Sequence, residues 1–72
     1  MFDGKHLKKI RSAVGMTQEE FCNTFCIPIA SLRNWEQERC KPDKVAITLL
    51  FLISQEPEYV ASSLAELRDK KR

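Results

Sequence analysis

The most reactive side chains in the sequence are three cysteines and one histidine. Cys22 and Cys26 are four positions apart, whereas Cys40 and His6 lie elsewhere in the chain. Structural zinc sites use closely spaced pairs of ligands, and one C-x-x-x-C pair without a second close pair does not match them. A redox thiol is an alternative, but the simplest interpretation makes Cys22 and Cys26 small buried residues and leaves Cys40 exposed.

Catalytic motifs are also missing from the sequence. His6 has no carboxylate or nucleophile at a diagnostic spacing, and there is no glycine-rich phosphate loop and no H-E-x-x-H motif. We therefore predict no metal, no cofactor and no enzymatic activity.

Size and composition limit the remaining possibilities. The chain has 72 residues, 43% hydrophobic and 31% charged, and at this length only about 60% of the unfolded surface can be buried. We predict a single domain over residues 1–72. The longest nearly apolar segment, residues 45–53, is too short for the ~20 residues of a membrane-spanning helix. The odd number of cysteines and the lack of a visible secretory signal predict a cytoplasmic protein.

The net charge of +2 is weak, but its distribution is uneven. Residues 1–42 contain seven basic and five acidic side chains, while the remainder contains five of each. The whole positive excess thus lies in the first part of the chain, and any proposed binding surface should be tested against this asymmetry.

Residues 17–36 have the pattern of two short helices joined by a tight turn. Thr17 and Glu20 form a capping box, which begins the first of these helices. Pro28 disfavours helix at the preceding residue and suits the first turn of a second helix over residues 28–36. In that helix Leu32 and Trp35 share the inward side, and the pattern predicts other faces for Ile29, Ala30, Arg33 and Asn34. This is the helix-turn-helix arrangement, whose second helix can enter the DNA major groove.

Three further helices complete the predicted all-α fold. They cover about residues 4–14, a segment after Asp43, and a segment from Pro57 to the charged tail at 68–72. Gly15 is suited to end the first. Residues 45–53 are apolar almost all round, which predicts that the fourth helix is the buried centre of the domain. In the fifth, Val60, Leu64 and Leu67 form an inward stripe.

Two segments resemble the phage repressor/Cro-like (Xre) helix-turn-helix family. They are MTQEEF at residues 16–21 and LRNWEQ at residues 32–37, with Arg39 and Pro42 following. The resemblance covers about residues 5–70 and implies a five-helix lambda-repressor-like DNA-binding domain that represses transcription as a homodimer on an operator. The WEQ segment and the Pro42-Asp43 pair are most similar to small antitoxins of the HigA type, which are encoded beside a toxin.

The resemblance also implies roles for individual residues. The family's base-reading positions fall on Ile29, Ala30, Arg33 and Asn34. Its phosphate-contacting positions fall on Thr17, Gln18, Gln37, Arg39, Lys41 and Lys44. Arginine can pair bidentately with guanine and asparagine with adenine, whereas alanine and isoleucine can only contact thymine methyl groups.

Arg11 and Glu36 occupy positions that form a partly buried ion pair in some family members; the alternative is that both are exposed. Two departures from the family pattern concern the backbone. Cys26 and Glu38 stand where the family usually has glycine, so each is expected at a positive φ, at a cost of order 1 kcal/mol. Glu38 also places a negative charge near the expected DNA surface.

Two functions from different classes are compatible with these features. The first is a dimeric, sequence-specific repressor of double-stranded operator DNA, with the dimer interface expected near residues 56–59. The second is an antitoxin that neutralises a cognate toxin and autoregulates its operon. A domain that serves only in dimerisation is a third interpretation, because Cys26 and Glu38 could weaken DNA binding.

Overall fold

The computed structural model describes residues 3–70 and contains five helices. They are α1 (Gly4–Ala13), α2 (Gln18–Phe25), α3 (Ile29–Glu36), α4 (Lys44–Gln55) and α5 (Pro57–Lys70). All regular elements in this part of the chain are α-helices, which confirms the predicted fold class. The predicted charged tail divides: residues 68–70 belong to α5, and its last two residues lie outside the described part. No helix in the described part is long and apolar enough to cross a membrane.

Side-chain caps explain where α1, α2 and α4 begin. The carboxylates of Asp3 and Asp43 accept hydrogen bonds from the first turns of α1 and α4, each at 2.9 Å. The backbone hydrogen bond from the His6 amide is the main cause that lowers the pKa of Asp3. The capping box of α2 is confirmed, since the Thr17 hydroxyl accepts from the Glu20 amide at 3.1 Å and the Glu20 carboxylate accepts from the Thr17 amide at 2.9 Å. Pro28 is the N-cap of α3, so the helix begins one residue later than predicted.

The core is formed by apolar residues from all five helices and the α2–α3 turn. Its buried members are Leu7, Ile10, Phe21, Cys22, Phe25, Ile27, Leu32, Leu50, Ile53 and Val60. The rings of Phe21 and Phe25 pack at a centroid distance of 4.8 Å with an interplanar angle of 55°. Trp35 is half-buried and packs against this core, as its spacing from Leu32 predicts.

The predicted central position of α4 is wrong. Leu50 and Ile53 are fully buried, but Val45, Phe51 and Leu52 are 77%, 51% and 48% exposed. The helix packs mainly against α1 and α5, and the side that bears these three residues is exposed in the described part of the chain. The apolar composition of α4 therefore reflects two apolar faces, of which residues 3–70 cover one.

The predicted stripe on α5 is only partly inward. Val60 is buried and Leu64 packs against the core, but Leu67 is 51% exposed. Near this end of α5 the Arg68 guanidinium donates a hydrogen bond to the backbone carbonyl of Asn23 in α2. The end of α5 is therefore attached to the helix-turn-helix by a polar contact.

Candidate nucleic-acid interface

The turn between α2 and α3 depends on a left-handed residue. Cys26 has φ 58° and ψ 43°, and the Ile27 amide donates to the Cys22 carbonyl at 3.0 Å. The left-handed conformation of Cys26 ends α2, and the following residue, Ile27, is buried. Cys26 is consequently exposed, which corrects the prediction that it is buried, while Cys22 is buried as predicted. Burial raises the pKa of the Cys22 thiol.

α3 presents one side to the domain and the other outward. Ala30 and Arg33 are exposed and Asn34 is half-buried, so these predicted base-reading residues are accessible to different extents. Ile29 is half-buried and packs against the core, because it lies three positions before the buried Leu32 and shares its side of the helix. The expectation that Ile29 lies on a different face from Leu32 is therefore wrong in part.

A bidentate ion pair joins α1 to the end of α3. The Arg11 Nε and Nη2 atoms donate to the two carboxylate oxygens of Glu36 at 2.8 and 3.0 Å, and Arg11 Nη1 donates to the Met16 carbonyl at 3.2 Å. The Glu36 side chain is 2% exposed and that of Arg11 21%. Burial acts to raise the pKa of Glu36, but hydrogen bonds from Arg11 and Gln18 outweigh it, so the net pKa is lowered. The same contact with Glu36 raises the pKa of Arg11.

Gln18 extends this network to the exposed side of α3. Its Nε2 donates to Glu36 Oε1 at 3.0 Å, and its Oε1 accepts from Arg33 Nε at 3.4 Å. Both ends of the Gln18 amide are thus bound within the protein. Sequence reasoning placed Gln18 at a phosphate and did not find these bonds, since the two partners lie 15 and 18 positions further along the chain.

A shallow depression of about 480 Å³ lies at the start of α2. Its lining residues are Arg11, Thr17, Gln18, Glu19 and Arg33. The first turn of a helix directs unpaired amides and a partial positive charge outward, which favours an anion. The Arg11 guanidinium is already bound to Glu36 and the Met16 carbonyl, and Glu19 adds a negative charge to the lining. The Arg33 guanidinium and the helix N-terminus are therefore the groups that suit a phosphate here.

The other predicted phosphate-contacting residues follow α3. Gln37 is the C-cap of α3, Arg39 and Lys41 lie in the loop, and Lys44 begins α4; all four are exposed. Glu38 stands among them with φ 61°, which confirms its predicted left-handed conformation.

Two backbone hydrogen bonds hold this loop against the end of α3. The Glu38 amide donates to the Trp35 carbonyl at 3.1 Å, and the Arg39 amide donates to the Asn34 carbonyl at 2.9 Å. The backbone that bears Arg39 is therefore ordered next to α3.

Comparison with known proteins tests the predicted family resemblance. No family model and no curated protein matches the chain. Among solved structures, a helix-turn-helix XRE-family-like protein from Agrobacterium tumefaciens superposes with a TM-score of 0.79 and is 45% identical, covering 81% of this chain and 94% of that one. This identity over nearly the whole of the matched structure confirms the predicted resemblance to the Xre family, whereas the likeness to HigA-type antitoxins stays a prediction. The chain belongs to the XRE-family-like helix-turn-helix proteins, a class of DNA-binding regulators.

Proposed function

We propose that this protein is a cytoplasmic, sequence-specific transcriptional repressor that binds operator DNA as a homodimer, with α3 in the major groove. The observation that carries the proposal is the position of Arg33. Its exposed guanidinium stands on the outward side of α3 and also borders the depression at the start of α2. A base-reading side chain beside a phosphate site is the arrangement by which a helix-turn-helix docks. No step of this function requires catalysis.

The outward side of α3 supplies the groups for reading bases. Arg33 suits guanine, through its O6 and N7 atoms, and Asn34 suits adenine. Ala30, exposed at the start of α3, suits a thymine methyl group. Ile29 is half-buried against the core, and its accessible part suits a second apolar contact.

The residues around α3 supply the contacts to the DNA backbone. Arg39, Lys41 and Lys44 are exposed cations in and after the α3–α4 loop. In a dimer these three make six cations, so the log–log dependence of affinity on salt should have a slope of about −5. The carboxylates Glu19 and Glu38 lie nearby, so the affinity of one subunit is modest and dimerisation is needed for tight binding.

The uncovered face of α4 is the surface that we propose for the dimer. Val45, Phe51 and Leu52 are exposed on it, and no charged residue occurs between Lys44 and Glu56. Tyr59, 73% exposed near the start of α5, adds an aromatic side chain. An uncharged patch with aromatic groups is typical of the centre of a protein interface. A second copy matches it in chemistry, because two-fold symmetry places identical patches face to face.

A Leu52→Glu substitution tests this interface. The side chain is half exposed, so the monomer should fold, whereas a carboxylate facing its symmetry mate should dissociate the dimer. Analytical ultracentrifugation should show a dimer for the original protein and a monomer for the variant, with Ser12→Glu on α1 as a matched charge control. A dimer that survives Leu52→Glu would show that the subunits pair through another surface.

DNA binding tests the function itself. The purified protein is used to select duplexes from a randomised library, and binding to the selected site is then measured at several salt concentrations. Arg33→Met with Asn34→Ala should remove discrimination between this site and mutated sites, while Arg39→Ala should weaken binding to all duplexes and make the salt slope shallower by about two per dimer. If no site is selected and binding is independent of salt, the domain serves in dimerisation only.

An antitoxin role is the second candidate function. It is favoured by the HigA-like WEQ segment at residues 35–37 and by the uncovered apolar face of α4, which a toxin could cover in place of a second copy. A small toxin-like protein encoded in the adjacent reading frame, and its stoichiometric co-purification with this chain, would support this role.

A further inference from the structure

We infer that Gln18 is a positioning residue that orients the Arg33 guanidinium for guanine recognition, an inference that rests on the proposed DNA-binding function. The resemblance assigns Gln18 to a phosphate, but its amide instead bridges Glu36 and Arg33, at 3.0 Å and 3.4 Å. The half-buried Gln18 thereby connects a buried carboxylate to an exposed base-reading side chain.

The orientation of the Gln18 amide is determined by its neighbours. An ionised carboxylate only accepts hydrogen bonds, and the Arg33 Nε–H only donates. If the amide were turned over, its oxygen would face Glu36 Oε1 and its NH₂ group would face the Arg33 N–H, so both contacts would become repulsive. Only the observed orientation of the Gln18 amide gives hydrogen bonds with both the Glu36 carboxylate and the Arg33 Nε–H.

The Glu36 end of the bridge is rigid. Its two carboxylate oxygens are held by Arg11 at 2.8 and 3.0 Å, and Arg11 is held in turn by the Met16 carbonyl at 3.2 Å. The Glu36 side chain is only 2% exposed, so water does not compete for it. The position of the Gln18 oxygen is therefore set by the packing of α1, α2 and α3 together.

The contact at Nε determines which atoms of Arg33 remain available. With Nε bound to Gln18, the two terminal Nη groups are the free donors, and this end-on fork matches the O6 and N7 acceptors of guanine. Arg33 also borders the depression at the start of α2, where a DNA phosphate would compete for it. Because Gln18 holds Nε, it favours contact between Arg33 and a guanine base over contact between Arg33 and a phosphate. Gln18 therefore contributes to sequence specificity more than to overall affinity.

A Gln18→Leu variant tests the inference, with Gln18→Asn as a second variant that keeps the amide but is too short to reach both partners. Binding is measured on the selected site, on the same site with the guanine replaced by adenine, and on a random-sequence duplex. One good bidentate pair corresponds to about 5- to 150-fold discrimination in the original protein. Both Gln18 variants should lose most of it, down to the level of Arg33→Met, while binding to the random duplex is retained.

Two controls separate positioning from other effects. In an Arg33→Met background, Gln18→Leu should change the guanine discrimination no further. Glu19→Gln, next to Gln18, removes a negative charge from the same depression and should strengthen binding to all three duplexes while the discrimination stays the same.

The outcomes distinguish this inference from the proposed function. A uniform loss of affinity on all duplexes with the guanine discrimination intact would make Gln18 a phosphate contact; the inference would fail and the proposed function would stand. If the original protein shows no preference among duplexes, both fail. The inference is supported if the Gln18 variants lose guanine discrimination when Arg33 is present, and if Gln18→Leu causes no further loss when Arg33 is replaced by methionine.

Discussion

Replacing Arg11 by methionine should cost more stability than replacing its partner Glu36. Arg11→Met removes two of the three donors to a carboxylate that is 2% exposed, leaving the Gln18 amide alone. Removing one member of a buried ion pair costs about 3–5 kcal/mol, because the remaining charge is buried without compensation. A domain of 72 residues has roughly 4–11 kcal/mol of stability in total. The variant should therefore lose at least a quarter of its free energy of unfolding.

Replacing Glu36 by glutamine should cost less stability, because the Arg11 charge left behind is less buried than that of Glu36. The Arg11 side chain is 21% exposed and keeps its hydrogen bond to the Met16 carbonyl in Glu36→Gln. Its charge can reach water, so the expected loss is about 1–3 kcal/mol, typical of a disrupted hydrogen-bonding group. The double variant has no buried charge and should be more stable than the sum of the two losses predicts.

The pH dependence of stability should change sign in Arg11→Met. In the original protein the folded-state pKa of Glu36 is lowered, so its contribution is present above the unfolded-state pKa of about 4.3 and is lost as the pH falls through the folded value. Without Arg11, burial dominates and raises the folded-state pKa of Glu36 above the unfolded one. This variant should therefore regain part of its lost stability as the pH falls from 7 towards 4.3.

Urea unfolding followed by the fluorescence of Trp35, the single tryptophan, measures both effects. The difference between the original protein and Arg11→Met isolates Glu36, because the lowered pKa of Asp3 affects both equally. Equal losses for the two single variants, an additive double variant and parallel pH profiles would together refute a buried, coupled pair.

Substitutions at Cys26, Glu38 and Gly4 test three positions with special backbone requirements. Cys26→Gly should raise the free energy of unfolding by about 1 kcal/mol by relieving a φ of 58°, whereas Cys26→Ala should not, and thermal unfolding compares them. Glu38→Gly relieves a φ of 61° in the same way and should also increase DNA affinity on all sequences in a binding titration, because it removes a carboxylate near the phosphate-contacting loop. Gly4→Ala should destabilise the protein by about 1–3 kcal/mol in urea unfolding, because its Cβ would lie 2.5 Å from the Glu36 carbonyl oxygen; Lys5→Ala, exposed at the next position, is its control and should change little.

The local features of the fold could be predicted from sequence because they depend on neighbouring residues. The capping box at Thr17, the inward spacing of Leu32 and Trp35 and the left-handed residues Cys26 and Glu38 all follow from short-range chemistry or from the family pattern. These features determine where α2 and α3 begin and end, and therefore the form of the helix-turn-helix.

The exposure of α4 could not be predicted from its composition. Hydropathy shows that a side chain prefers burial, but it does not show whether this chain supplies a surface to cover it. Phe51 and Leu52 are as apolar as their buried neighbours Leu50 and Ile53, yet about half of each is exposed. The same limit applies to Gln18, whose partners lie on α3. The capping box places Gln18 in the first turn of α2, but it does not predict which residues distant in sequence its side chain contacts.

The network around Glu36 explains why an ion pair is useful at this point in the core. A buried pair is a weak stabilising device, since apolar residues of similar volume often do as well or better. An apolar residue at position 36, however, could not orient the Gln18 amide, and the Gln18 oxygen would no longer be directed at Arg33. Glu36→Gln should therefore reduce guanine discrimination even though it costs less stability than Arg11→Met. The amide introduced at position 36 can either accept or donate a hydrogen bond, so it no longer fixes which end of the Gln18 amide faces Arg33. Stability and recognition respond differently to the two substitutions, and that difference follows from the charge on one buried carboxylate.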